Sequence, residues 1–138
     1  MSSPFLNILL VEDDEVDVMN VKRAFENNHI TNPLFVAGNG LEALEKLRNG
    51  EVPQGRRIVL LDLNMPKMNG IEFLHELRKD PEIAATPVVV LTTSNNERDK
   101  IEAYNLNVAG YLVKPVTFAD FSELMVTLNK YWTLVEMP

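Results

Sequence analysis

The sequence of 138 residues contains no cysteine. No disulfide framework can hold it together, so its fold must rest on packing. Basic residues are the minority, 13 Lys and Arg against 20 Asp and Glu, and the resulting charge of −7 repels phosphate backbones and anionic lipid surfaces at long range. Nucleic acid and membrane are therefore poor default partners. Long apolar runs are also missing: the run from Leu6 to Val11 meets carboxylates at Glu12, and no basic stretch precedes it as a signal segment would require. These absences lead to the expectation of a soluble, cytoplasmic protein. Histidine is scarce, and neither His29 nor His75 has a Cys or a second His at zinc spacing. What the chain does have is a 46% hydrophobic content, enough for the core of one compact domain and too little length for a second.

Short apolar runs at Leu6 to Val11, Ile58 to Leu61 and Val88 to Leu91 show no period-two alternation, which predicts strands buried on both faces. Weaker runs at Leu34 to Ala37 and Ala109 to Val113 have the same character. Between them the apolar residues recur at helical spacing: Val18, Val21 and Phe25; Leu41, Leu44 and Leu47; Ile71, Leu74 and Leu77; Phe118, Phe121, Met125 and Leu128. A further helix from about Asn96 to Asn105 has Ile101 and Ala103 to bury. Met65 and Met68 read as packing in the loop after Asp62. Strict alternation of strand and helix implies parallel strands joined by right-handed crossovers, hence a doubly wound α/β sheet with helices on both faces. In such sheets ligands sit beyond the carboxyl ends of the strands.

The residues at those ends are Glu12, Asp13 and Asp14 after the first strand, Asp62 after the third, Thr92 and Thr93 on the fourth, and Lys114 with Pro115 after the fifth. Carboxylates crowded on one rim repel, so at least one pKa should rise, and a hard divalent ion such as Mg²⁺ would relieve the strain. A carboxylate can also attack phosphorus, with a metal, a lysine and a hydroxyl as accessories that stabilise charge on the equatorial oxygens. Asp62, ending a central strand between the acidic pair and Lys114, is best placed as that nucleophile. Asp14 fits better as a helix N-cap than as part of the site.

The segments ILLVEDDE (Ile8 to Glu15), VLLDLNMPKMNG (Val59 to Gly70), VVVLTTS (Val88 to Ser94) and GYLVKP (Gly110 to Pro115) resemble the four signature blocks of response-regulator receiver domains, in the right order. The resemblance spans Asn7 to about Lys130 and implies a five-stranded parallel sheet in the flavodoxin-like order 2-1-3-4-5. It also implies a function: a two-component signalling switch that takes a phosphoryl group from a sensor histidine kinase in a Mg²⁺-dependent reaction, without being a conventional enzyme. By the same resemblance Asp62 is the phosphoacceptor, while Glu12, Asp13, Asp62 and the main-chain carbonyl of Asn64 are the metal ligands. Thr92 is the hydroxyl that turns toward the phosphate, Lys114 the cation that pairs with it, and Tyr111 the aromatic that follows the change. A cis bond between Lys114 and Pro115 is implied as well. Asp80 to Ser94 and the apolar tail are similar to the small receivers paired with phytochrome-type kinases, which implies a kinase of that kind as partner.

Two rival chemistries fail on particular residues. A phosphatase of the haloacid dehalogenase type needs a second Asp two residues after its nucleophile, where this chain has Asn64. A flavin carrier would want a Ser/Thr/Gly-rich phosphate loop where this chain has Glu12 to Glu15. The remaining alternative is an interaction module that keeps the receiver fold without using phosphate. Residues 1–138 read as a single domain with its core at about 7–130 and an apolar C-terminal tail at 131–138. The residues Tyr131, Trp132, Leu134, Val135 and Met137 in that tail predict a symmetric homodimer through the C-terminal face.

Overall fold

The computed structural model of the chain describes residues 6–65 and 67–136. Its elements alternate without exception: β1 (Asn7–Val11), α1 (Glu15–Asn27), β2 (Leu34–Ala37), α2 (Gly40–Asn49), β3 (Arg57–Leu61), α3 (Gly70–Lys79), β4 (Val88–Thr92), α4 (Glu97–Asn105), β5 (Gly110–Val113) and α5 (Phe118–Leu134). All strand pairs are parallel, and the sheet runs in the order β2-β1-β3-β4-β5. Among the described residues no helix is long and apolar enough to cross a membrane.

Two apolar layers cover the sheet. Leu9, Val11, Val59, Leu61, Val88 and Val90 pack under α2, α3 and α4, whereas Ile8, Leu10, Ile58, Leu60, Val89 and Leu91 pack under α1 and α5. The strand runs lack polar alternation because both faces are covered, each successive side chain entering the opposite layer. Each helix begins on a side chain that accepts from its first free N–H groups: Asp14 for α1, Asn39 for α2, Asn69 for α3, Asn96 for α4 and Thr117 for α5. Asn69 and Glu72 form a reciprocal capping box. Immediately after it, α3 starts so close to the end of β3 that a Cβ on Gly70 would lie 2.6 Å from the Asp62 carbonyl oxygen and 2.7 Å from Leu63 Cα. Glycine is thus what lets α3 approach the site backbone.

Two expectations change. Ile101 is exposed, and α4 buries only Ala103. Residues two apart lie on opposite sides of a helix, so the pair could not share one apolar face. Second, α5 continues past the expected boundary at Lys130 to Leu134. Its stripe of Phe121, Met125 and Leu128 extends at the next helical step to Trp132, which is fully buried. The indole meets Phe25 of α1 edge-on, with ring centroids 6.2 Å apart, and donates from Nε1 to Asn129 Oδ1 at 2.7 Å. Of the apolar residues assigned to a dimer surface, Tyr131 and Leu134 are exposed, Val135 is half-buried, and Met137 lies outside the described residues.

Candidate functional site

The parallel register delivers the polar residues to one edge. Val11 of β1 stands beside Leu61 of β3, and Thr92 of β4 beside Val113 of β5. The ladder then runs one residue further: Asp62 donates its N–H to Val11 O at 3.0 Å, Glu12 to Ala37 O at 2.9 Å, and Lys114 to Thr92 O at 2.8 Å. Asp62, Glu12 and Lys114 therefore each have their backbone N–H held by the neighbouring strand.

Carboxylate oxygens of Glu12, Asp13 and Asp62 lie within 4.8 Å of one another, with Glu12 and Asp62 buried and Asp13 exposed. A hard divalent cation suits this all-oxygen set, and the exposed Asp13 leaves a side open to water. Thr92, itself fully buried, donates from Oγ1 to Asp62 Oδ1 at 2.8 Å, and the Asn64 N–H lies 3.4 Å from the same oxygen. The Ser94 N–H donates to Thr92 Oγ1 at 3.2 Å, and the Tyr111 hydroxyl donates to the Ser94 carbonyl at 2.9 Å. Ser94 Oγ in turn donates to Asp99 of α4 at 2.8 Å. A continuous hydrogen-bonded path thus leads from Asp62 through Thr92 and Ser94 to both Tyr111 and α4. Burial, aided by the charges of Asp99 and Asp62, holds the Tyr111 hydroxyl above its ordinary pKa.

All six expected positions and Asn64 meet at this edge, with one rearrangement. Lys114 makes its short contacts with Glu12 and, at 2.9 Å, with Asp17 Oδ2, while Asp62 Oδ2 stands 4.0 Å from its Nζ. Asp17 went unnoticed in the sequence because it reads as a first-turn acid of α1, where Asp14 Oδ1 indeed accepts from its N–H at 3.2 Å. Its only distinguishing signal is its place four residues after Asp13 on a helix that starts at the site. Asp14 serves as the N-cap, as expected. No cis peptide bond occurs among the described residues, so Lys114–Pro115 is trans, the form an X–Pro bond favours by about 0.5–1 kcal/mol unless its surroundings impose the other. His75 lies 3.4 Å from Glu102, exposed and away from the site.

One carboxylate of the cluster is raised, as expected, but burial rather than crowding is the larger cause. Burial, together with the neighbouring charge of Asp62, pushes the Glu12 carboxyl up to about 7 against the pull of Lys114. The Lys114 ammonium is raised too: burial opposes this, but the bonds to Glu12 and Asp17 and the charges of Glu12 and Asp62 outweigh it. The folded protein therefore favours protonated Glu12, a contribution complete below about 4.5 and lost as pH rises to about 7. Without divalent cations the melting temperature should carry a downward slope of a few degrees across that window, and Glu12→Gln should flatten it. The stabilisation given by a cation should grow over the same interval, because ligand carboxylates must lose their protons to bind it. Thermal melts with and without Mg²⁺ across that range check both signs; an identical slope in Glu12→Gln removes Glu12 as the source.

A family model described as the response regulator receiver domain matches residues 8–126. The chain belongs to that family. Its role is accordingly in two-component signalling. The probable methanogenesis regulatory protein FilR2 of Methanothrix harundinacea is 41% identical over 132 residues, which cover 94% of this chain and 84% of that protein. The response regulator Rcp1 of Synechocystis is 38% identical over 134 residues, covering 95% of this chain and 91% of Rcp1. Among solved structures, the phosphorylated cyanobacterial phytochrome response regulator RcpA superposes with a TM-score of 0.86 at 33% identity, over 97% of this chain and 99% of that one. The Mn²⁺-bound form of Rcp1 gives 0.83 at 37% identity, over 96% of this chain and 99% of that one. The receiver fold of this chain is therefore the one these response regulators share.

Proposed function

We propose that this receiver takes a phosphoryl group onto Asp62 from the phosphohistidine of a sensor kinase, with Mg²⁺ held by Glu12, Asp13, Asp62 and the Asn64 carbonyl. The observation that carries this reading is the setting of the Asp62 carboxylate: one oxygen accepts from Thr92 at 2.8 Å, the other stands 4.0 Å from the Lys114 ammonium, and two further carboxylates lie alongside. In the transfer an Asp62 oxygen forms the new P–O bond while the P–N bond breaks, its electron pair leaving with the imidazole. When bound, Mg²⁺ would neutralise charge on the oxygens of the group in transit. Lys114 offers its ammonium to the same oxygens, and Thr92 orients the attacking carboxylate. The product carries roughly −1.5 to −2 charge, which draws Thr92 away from Asp62 and biases the Ser94 and Tyr111 links to α4. The chain transfers and releases its own phosphoryl group and turns over no other substrate.

The test is incubation with acetyl phosphate and Mg²⁺, followed by intact mass and peptide mapping. One phosphoryl group on Asp62, absent when the metal is chelated, is the expected result; modification at another residue, or labelling indifferent to the chelator, overturns it.

The partners follow the relatives. RcpA is a phytochrome response regulator, and two further bacteriophytochrome response regulators superpose with TM-scores of 0.72 and 0.73 at 36% and 35% identity. These support a phytochrome-type histidine kinase as the donor, in the cytoplasm, with residues 1–138 acting as one receiver domain. A homodimer through β5 and α5 is supported by the free edge of β5 and by an apolar groove of about 240 Å³ lined in part by Leu112, Leu124, Leu128 and Tyr131. Sedimentation velocity should show a dimer that Tyr131→Asp turns into monomer; a monomeric parent chain, with and without phosphodonor, rejects it.

A further inference from the structure

The Lys114 side chain is 8% exposed and is held from two sides, by Glu12 and by Asp17. An ammonium has three N–H donors. Two are taken by these carboxylates, which leaves one for a further acceptor, and Asp62 Oδ2 at 4.0 Å is too distant for a hydrogen bond. A phosphoryl group bonded to Asp62 carries its oxygens outward from the carboxylate, so that gap is wide enough to receive one without withdrawal of the lysine. Glu12 is shared between two tasks, because it belongs to the carboxylate cluster as well as to the lysine. Asp17 lies outside that cluster and is fixed in the first turn of α1 by the Asp14 cap.

We infer that Asp17 is a positioning residue for Lys114: it holds the ammonium so that its free donor faces the phosphoryl oxygens, and it keeps that hold when Glu12 serves the cation. The inference rests on Asp62 as phosphoacceptor. Its sign opposes simple electrostatics, which is what makes it testable. Removing a negative charge beside the site would by itself draw an anionic phosphodonor closer and speed labelling. Loss of a held lysine slows it, because a cation out of place no longer meets the developing charge.

The experiment measures the rate of Asp62 labelling by acetyl phosphate and Mg²⁺ in four variants. Asp17→Asn should be about three- to tenfold slower than the parent protein. Asp17→Glu, which keeps the charge and lengthens the reach, should recover at least part of the loss. In a Lys114→Ala background, itself slow, Asp17→Asn should cause no further slowing, since it acts through the lysine that is already gone. Equal or faster labelling of Asp17→Asn overturns the inference, and so does a slowing that persists undiminished in the Lys114→Ala background. A parent protein that takes no label on Asp62 overturns the phosphoacceptor reading and this inference with it, a failure visible before any Asp17 variant is compared.

Discussion

Asp62→Asn should lower phosphoryl labelling by at least about a thousandfold, the scale on which removal of an attacking group is felt, while leaving the protein folded. An amide nitrogen has no free lone pair with which to attack phosphorus. The remaining contacts survive the change: the amide oxygen can still accept from Thr92 Oγ1, and Lys114 keeps Glu12 and Asp17. One of three clustered carboxylates becomes neutral, so the repulsion that helps raise Glu12 is relieved. The melting temperature without metal should therefore hold or rise, and the increment given by Mg²⁺ should shrink. This combination separates loss of chemistry from loss of fold. Labelling of the variant at the parent rate would remove Asp62 from the mechanism.

Trp132→Ala should destabilise the domain by about 3–5 kcal/mol, the range for deleting a buried aromatic from a packed core. The indole fills the end of the layer between α1, α5 and the sheet, contacts Phe25 edge-on and satisfies Asn129 Oδ1. Truncation leaves a cavity and removes the partner of Asn129. For a domain of this size the melting temperature should fall by roughly 10–20 °C. Trp132 lies at the far end of α5 from Thr117, the cap that follows the Lys114 segment, so the folded fraction should still take label on Asp62. A loss under about 1 kcal/mol in a urea melt would place the indole outside the core.

Much of the site was legible because its signal is local. Each strand ends where its apolar run meets Glu12, Asp62, Thr92 or Lys114, and in a parallel sheet all strand ends of one sense share an edge. The Asp14 cap was legible for the same reason, since a cap is decided within four residues. Asp17 was not legible: a first-turn acid on α1 looks the same whether it faces water or a lysine 97 residues further along the chain.

The sequence by itself determined the order of elements, the parallel sheet buried on both faces and the meeting of Glu12, Asp13, Asp62, Thr92 and Lys114, because apolar periodicity and strand polarity are properties of short segments. Only the tertiary structure decided which carboxylates Lys114 holds, that Ile101 stays in water, and that Trp132 belongs to the core of its own chain rather than to a surface tail. Those outcomes depend on which helix face meets which neighbour across the sheet. Packing between distant segments settles that, and no window of sequence contains it.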